Sequence, residues 1–272
     1  MRGAIVGDIA GSRFEFESYK SKDFDLLGDD DLDIAECRFT DDTVMTASVA
    51  AALMRHNPSD GRAFRRHLCE CMHEIGKEHL LIGFGDWQYE WLKKESFEPY
   101  NSYGNGSAMR VSPVGWYAKS LDEAEYIAKL TAEVTHNHPE GIKGAQAIAT
   151  SVYLARTGKD KDQIASYIAS HYYPSVGNMS LDAIRKTYDF DVTCKGSVPH
   201  SIQCFLDSKG FEDAVRLAVS LGGDSDTMGA MAGSIAEAYY GLPDGIWEKA
   251  RKLLSEDIQE ITDEFYTMCM SS

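Results

Sequence analysis

Helix-forming periodicity dominates this chain of 272 residues. Apolar residues recur every three or four positions in segments rich in Ala, Leu, Met and Glu, and this spacing places them on one face of a helix. Strand-like alternation is scarce, and its best short pieces cover residues 110–114 and 190–193. We therefore predict an all-α fold, with helices over residues 43–56, 123–134, 141–156, 161–170, 212–220, 228–240 and 246–268.

The chain shows no obvious division into domains. Gly and Pro clusters fall between the periodic segments and keep the connections short, and neither a linker nor a repeat is visible. With 43% hydrophobic residues, the chain can bury a sizeable core. We predict a single domain over residues 1–272. The acidic stretch 18–36 is interpreted as a solvated loop, or else as a lid near a site.

Charge and cysteine usage restrict the partners and the compartment. The chain has 27 Lys and Arg against 43 Asp and Glu, and the net charge of −16 repels nucleic-acid phosphates and anionic membranes. No apolar run approaches the roughly 18 residues of a membrane helix. The six cysteines form no CxxC pair, and no signal peptide is recognised. We expect a cytoplasmic monomer that binds neither membranes nor nucleic acid, except as a modified substrate.

Two acidic turns stand at predicted helix starts. The first is Thr40-Asp41-Asp42-Thr43, at the beginning of the apolar segment 43–56. Thr and Asp side chains accept hydrogen bonds from the free amides of a first helical turn, and acids favour the positive helix end. Taken alone, this turn is explained by helix capping.

The second acidic turn is richer than capping requires. Gly222 and Gly223 precede Asp224, and Asp226 and Thr227 follow before a helix of small residues. The glycines let the backbone turn tightly, and the acids then present several hard oxygens to one point, as Mg²⁺ requires. Thr hydroxyls can complete such a ligand set without adding charge.

The two turns have the same composition although they are far apart in sequence. Their four carboxylates would repel one another strongly if they converged without a metal. Two divalent ions would neutralise them, and each ion would gain oxygen ligands completed by water. The pair of turns therefore predicts a shared metal site rather than capping alone.

Three further segments are ambiguous from their residues. After the first helix, which is expected to end at a glycine, Glu15 is either a surface acid or a functional one, and Asp8 is either a structural hydrogen-bond acceptor or functional. The segment 103–110 has two glycines that permit close approach to a diphosphate, although an ordinary turn remains possible. It matches neither the Walker nor the Rossmann pattern.

His136 and His138 lie two residues apart before another predicted helix, with Pro139 suited to its first turn. Because no cysteine or third histidine is nearby, a zinc site is disfavoured. Hydrogen bonding to a polar ligand is the better functional interpretation.

Five motifs in this order resemble the signature of the ADP-ribosylglycohydrolases, and they span most of the chain. They are GDIAGSRFE, FTDDTVM, GNGSAMR, THNHPEG and GGDSDTMGAMAGSIAEAYYG. The resemblance implies a compact orthogonal bundle of helices and a cleft for ADP-ribose with two Mg²⁺ ions, for which Mn²⁺ can substitute. It assigns the metal to Thr40, Asp41, Asp42, Asp224, Asp226 and Thr227.

The same resemblance implies roles at the reacting ribose and along the ligand. Glu15 is matched to an acid at the metal, and either Glu15 or Asp41 is expected to take a proton from water. His136 is expected to border the ligand, with His138 competing for this role. The residues matched to the diphosphate and proximal ribose are Gly104, Asn105, Gly106 and Ser107.

The expected activity is magnesium-dependent hydrolysis of the glycosidic bond between ADP-ribose and a modified protein side chain, with arginine favoured as the acceptor. Two alternatives remain open. One is a catalytically weak ADP-ribose-binding protein. The other is a metal-dependent phosphohydrolase, which would need a buried strand before Asp224, whereas residues 215–221 indicate the end of a helix.

Overall fold

The computed structural model describes residues 1–28, 36–94 and 96–271. Across these ranges the regular backbone is helical, which confirms the predicted all-α fold, and extended segments meet only at an isolated bridge between Gly104 and Thr193. The helices are α1 (Arg2–Gly11), α2 (Asp41–Arg55), α3 (Gly61–Glu78), α4 (Asp86–Lys93), α5 (Gly106–Met109), α6 (Ser112–Tyr117), α7 (Leu121–Glu133), α8 (Pro139–Arg156), α9 (Lys161–His171), α10 (Leu181–Thr187), α11 (Cys194–Asp207), α12 (Phe211–Val219), α13 (Ser225–Tyr240), α14 (Asp244–Arg251) and α15 (Glu256–Met270).

Three segments differ from what their sequence patterns indicate. The predicted helix over 246–268 is two helices, α14 and α15, because the chain tightens into a turn in which Leu253 and Leu254 donate to carbonyls three residues back. The strand-like piece over 110–114 forms no strand, since α6 begins at Ser112 and Pro113 occupies its first turn, where proline is well tolerated. The strand-like piece over 190–193 forms only the isolated bridge. Of the acidic stretch 18–36, residues 29–35 lie outside the described part.

Helices α1 and α13 pack backbone to backbone. A Cβ at Gly7 would overlap the carbonyl oxygen of Gly229, and a Cβ at Gly11 would overlap that of Ser225. Glycine is therefore required where the helices cross. Because Gly11 ends α1 and Ser225 begins α13, this crossing brings the chain after α1 to the start of α13.

Helix α2 lies in the centre of the molecule, and every residue from 42 to 53 is buried. A helix buried on all sides is typical of the core of a large domain. Its start lies beside α1, where Asp8 accepts hydrogen bonds from the backbone amides of Thr40 and Thr43. Among the described helices, none is long and apolar enough to cross a bilayer.

Candidate metal centre and ligand cleft

The two acidic turns meet in the folded protein. Both are helix starts, with Thr40 capping α2 by accepting from the amide of Asp42 and Asp224 preceding α13. The hydroxyl of Thr227 donates to Oδ2 of Asp42 at 3.1 Å across 185 residues of sequence. The convergence on which the predicted metal site depends is therefore present.

Glu15 joins this pair from the end of α1. Single carboxylate oxygens of Glu15, Asp224 and Asp226 all lie within 4.8 Å of one another. Asp42, Asp224 and Asp226 are 3%, 5% and 4% exposed, so the acids are shielded from water. Oδ1 of Asp42 is buried and has no hydrogen-bond partner among the described residues. We name Glu15, Asp41, Asp42, Asp224 and Asp226 the acidic cluster.

Burial and mutual repulsion raise the pKa values of the acidic cluster. Burial raises the pKa of Glu15 to about 8, with a further contribution from the charge of Asp226. Burial also raises the pKa of Asp224 to about 6. The same causes, burial first and neighbouring acids second, hold the remaining pKa values well above their usual range: those of Asp41, Asp42 and Asp226. The cluster therefore favours bound protons or bound cations.

Asp8 lies next to the acidic cluster but is fully engaged in hydrogen bonds. One oxygen accepts from the hydroxyl of Thr40 at 2.8 Å, and the other accepts from the hydroxyl and the amide of Thr43. Of the two interpretations offered by the sequence, this geometry fits the structural hydrogen-bond acceptor. The hydroxyl of Thr40, matched by resemblance to a metal ligand, is 2.8 Å from Asp8 and 3.5 Å from Asp42.

The segment 103–110, which we name the glycine-rich segment, forms one wall of a cleft beside the acidic cluster. Gly104, Asn105 and Gly106 line this cleft. The side-chain amide of Asn105 donates to Asp224 at 2.7 Å, which connects the segment to the acids. Ser107 is fully buried and donates to the carbonyl oxygen of Gly141 at 2.7 Å, so its hydroxyl is used within the fold.

The structure distinguishes the two neighbouring histidines. His136 is buried and lines the cleft beside the glycine-rich segment. His138 instead caps α8, where its Nδ1 accepts from the amide of Glu140 at 3.1 Å. Pro139 follows in the first turn, as the sequence predicts. His136 is therefore the histidine placed to contact a ligand in the cleft.

The cleft has a volume of about 620 Å³, which is within the usual size of a small-molecule site. Besides the acidic cluster, aromatic side chains line it, and several are exposed although they are large and apolar. Sequence reasoning gave these aromatic residues no role because single aromatic residues scattered along the chain form no motif. Arg110 also lines the cleft; it ends the motif GNGSAMR, but the sequence analysis assigned it no function. The aromatic residues are Phe16, Phe84, Trp87, Tyr100, Tyr103 and Phe190.

The chain is similar to known proteins along its whole length. Residues 1–272 match the family described as ADP-ribosylglycohydrolase. The ADP-ribosylarginine hydrolase Tri1 of Pseudomonas putida is 26% identical over 293 residues, covering 97% of this chain and 76% of that protein. The ADP-ribosylhydrolase ARH3 of Mus musculus is 26% identical over 313 residues, covering 89% of this chain and 83% of that protein.

A solved structure supports the same fold. It is described as an ADP-ribosylglycohydrolase-related protein complex, and it superimposes with a TM-score of 0.70 at 21% sequence identity. The match covers 98% of this chain and 95% of the other. The family match over the whole length, together with this fold, shows that the chain belongs to the ADP-ribosylglycohydrolase family.

Proposed function

We propose that this protein is a metal-dependent hydrolase that cleaves the glycosidic bond between ADP-ribose and a modified protein side chain. The observation that supports it most strongly is the meeting of two distant acidic turns beside one cleft, through the hydrogen bond from Thr227 to Asp42. Membership of the ADP-ribosylglycohydrolase family supplies the substrate class. The chain is proposed to act as a single domain over residues 1–272.

The donor set fits divalent cations. Carboxylate and hydroxyl oxygens are the ligands that Mg²⁺ and Mn²⁺ prefer. Asp42 has an oxygen without a hydrogen-bond partner among the described residues, and burial first, then the neighbouring acids, raise its pKa, so a counter-charge would stabilise its ionised form. Two Mg²⁺ ions, or Mn²⁺ in their place, are proposed to be held by Thr40, Asp41, Asp42, Asp224, Asp226 and Thr227, with Glu15 beside them.

The reaction is proposed to be a displacement by water. The water oxygen bonds to C1 of the ribose, and the bond from C1 to the acceptor breaks with its electron pair on the acceptor. When bound, the cations would supply positive charge for the ribose hydroxyls and would make the water more acidic. Glu15 is proposed to take the water proton and to pass it to the departing acceptor, because it lies partly exposed in the cleft beside Asp224 and Asp226. Asp41 is the second choice for this role.

The ligand is proposed to lie along the glycine-rich segment. Gly104, Asn105 and Gly106 would approach the diphosphate and proximal ribose, with His136 as a hydrogen-bonding neighbour. The resemblance also matches Ser107 to the diphosphate and proximal ribose. Its hydroxyl would act only indirectly, by fixing the start of α8 through its hydrogen bond to Gly141.

Arginine is the proposed acceptor. The support is the similarity to Tri1, which is named an ADP-ribosylarginine hydrolase and matches 97% of this chain. A cytoplasmic monomer is proposed as the working form. Its six cysteines, none of which forms a disulfide, agree with a reducing compartment.

The test is a panel of defined ADP-ribose conjugates. Peptides that carry ADP-ribose on arginine or on serine are incubated with the protein in magnesium and in excess chelator, and free ADP-ribose is measured. We expect release from the arginine conjugate with magnesium and no release with chelator. Release that is equal in chelator would contradict the metal dependence, and release only from serine would contradict the acceptor.

The same panel separates the rival functions. Tight binding of ADP-ribose without release from any conjugate would favour a binding protein. The phosphohydrolase alternative has lost its structural basis, because residues 211–219, before the acidic turn, are helical. Formation of AMP and a peptide that still carries ribose phosphate, in place of ADP-ribose, would nevertheless revive it.

A further inference from the structure

Arg110 is a buried cation whose surroundings are neutral. Its side chain is 1% exposed, and Nη2 donates to the carbonyl oxygen of Thr131 at 2.9 Å and to Oγ1 of Thr135 at 2.7 Å. No salt bridge to Arg110 is found within the described ranges, and its Nε is buried without a hydrogen-bond partner there. A guanidinium group can only donate hydrogen bonds. Oγ1 of Thr135 must therefore act as the acceptor.

The Thr135 hydroxyl still has one proton to donate. Its oxygen lies 2.8 Å from Nδ1 of His136. The competing acceptor is the phenol oxygen of Tyr100, which also interacts with Thr135 and donates its own proton to Oε1 of Gln88 at 2.6 Å. The position of this single proton decides which nitrogen of His136 is protonated.

The charge of Arg110 favours donation to the histidine. Burial, assisted by Arg110, lowers the pKa of His136 well below its usual range, so the imidazole is neutral and has one N–H. A positive charge behind Thr135 stabilises a lone pair on the nearer nitrogen and repels a hydrogen there. Nδ1 then accepts from Thr135, and the hydrogen of the ring lies on Nε2.

Nε2 faces the glycine-rich segment of the cleft. A Cβ at Gly106 would lie 3.0 Å from Nε2, and a Cβ at Gly104 would lie 3.7 Å from it. His136, Gly104 and Gly106 all line the same cleft. A hydrogen on Nε2 therefore gives this wall a side-chain donor for an oxygen atom of the ligand.

We propose that Arg110 and Thr135 are positioning residues, which hold His136 in the tautomer with its hydrogen on Nε2 so that it donates to a ligand oxygen in the cleft. The identity of that ligand as ADP-ribose, through a phosphate or ribose oxygen, rests on the proposed function. The tautomer itself does not, because the hydrogen bonds that set it exist in the protein without ligand.

The test is nuclear magnetic resonance on protein with ¹⁵N-labelled histidine. Long-range ¹H–¹⁵N correlations separate a protonated from an unprotonated ring nitrogen, and a His136→Gln variant assigns the signal among the eight histidines. In ligand-free wild type at neutral pH we expect Nε2 protonated and Nδ1 unprotonated. Thr135→Val should give a mixture of tautomers and weaken ADP-ribose binding roughly tenfold, the loss of one good hydrogen bond. Thr135→Ser, which keeps the hydroxyl, should retain both wild-type results.

Thr262→Val is the matched control. Thr262 is also fully buried, but its hydroxyl donates to the carbonyl oxygen of Ile258 within α15. We expect this variant to keep the wild-type tautomer and affinity. A general loss of packing would instead affect both threonine variants.

Three results would overturn the proposal. The first is a wild-type His136 that is protonated on Nδ1, which would mean that Thr135 donates its proton to Tyr100. The second is a ring that is protonated on both nitrogens at neutral pH. The third is a Thr135→Val variant whose His136 keeps the wild-type tautomer. If Thr135→Val fails to fold, the wild-type and Thr135→Ser spectra still decide. Failure of wild type to bind ADP-ribose would contradict the proposed function and leave the tautomer result standing.

Discussion

Asp8 and the acidic cluster lie side by side in this protein, but their surroundings differ. Asp8 accepts from two backbone amides and two hydroxyls, all supplied by Thr40 and Thr43. In the acidic cluster, Glu15, Asp224 and Asp226 approach one another, and an oxygen of Asp42 has no partner within the described part of the chain.

The difference indicates what each carboxylate does. A buried carboxylate that accepts several hydrogen bonds stabilises the fold around it. Buried acids that mainly face other acids destabilise the fold unless protons or cations join them. Asp8 is thus expected to be structural, and the acidic cluster is expected to be functional.

The largest expected effect is on turnover. Asp226→Asn should reduce ADP-ribose release by roughly 10²–10³-fold or more, because it removes a charge that the bound cations require. The free energy of unfolding without metal should stay equal or increase, since one repelling charge is gone. Asp162→Asn is the control, because Asp162 also lies in the first turn of a helix but is exposed. Wild-type turnover by Asp226→Asn would place the metal elsewhere.

The next effect concerns Asp8. Asp8→Ala leaves two buried amides and two hydroxyls of Thr40 and Thr43 short of an acceptor, which should lower the free energy of unfolding by about 3 kcal/mol. For a chain of this size that corresponds to a fall of roughly 10 °C in Tm. The fall should be the same with and without magnesium. Loss of only the magnesium-dependent part of Tm would instead show that Asp8 belongs to the metal site.

A smaller effect is the dependence of stability on pH. A carboxyl whose pKa is raised by folding stabilises the fold while protonated, and this contribution is lost as pH rises through the folded pKa. That value is about 6 for Asp224, about 6 for Asp8 and about 8 for Glu15, so the Tm of the metal-free protein should fall between pH 4 and pH 8.

Magnesium should oppose this fall, because it replaces the lost protons. At 100 times its Kd, a ligand adds about 2.7 kcal/mol, which is roughly 5–10 °C in Tm, and the gain should be larger at pH 8 than at pH 5. Thermal scans with magnesium and with chelator measure it. If the increase in Tm caused by magnesium did not depend on pH, the cations would not be bound by these acids.

The smallest expected effect concerns Ser107, another buried polar group with its hydrogen bond made. Ser107→Ala should cost about 1 kcal/mol of stability through the lost bond to Gly141. ADP-ribose affinity should change by less than about twofold, since the hydroxyl is used within the fold. Calorimetric titration measures the affinity. A tenfold loss of affinity would show that the Ser107 hydroxyl contacts the ligand after all.

Much of the fold could be predicted because its signals are local. The starts of α2 and α8 were visible as a Thr/Asp turn and as His138 with Pro139. Helix α3 was missed although its buried residues Phe64, Leu68 and Met72 recur every four positions, because charged residues occupy many of the positions between them. Helix α11 was missed because Pro199 lies inside it, and proline normally argues against a helix interior.

The site was predictable as far as single motifs allowed. The acidic turns could be found, but the contact between Thr227 and Asp42 depends on the backbone crossing of α1 and α13, which is a tertiary feature. The role of Ser107 was assigned from its motif, whereas the direction of its side chain is set by Gly141 on α8. Most of the aromatic residues in the cleft come from connections between helices, where sequence spacing predicts little, and Trp87 comes from α4.

The most direct test of the central claim is a crystal soaked in Mn²⁺, with anomalous diffraction recorded at the manganese absorption edge. We predict two anomalous peaks between the carboxylates of Asp42 and Asp226, close to Glu15 and Asp224, and none in contact with Asp8. Peaks only elsewhere on the molecule, or an acidic cluster without a peak at saturating Mn²⁺, would contradict the claim that these turns form a metal centre.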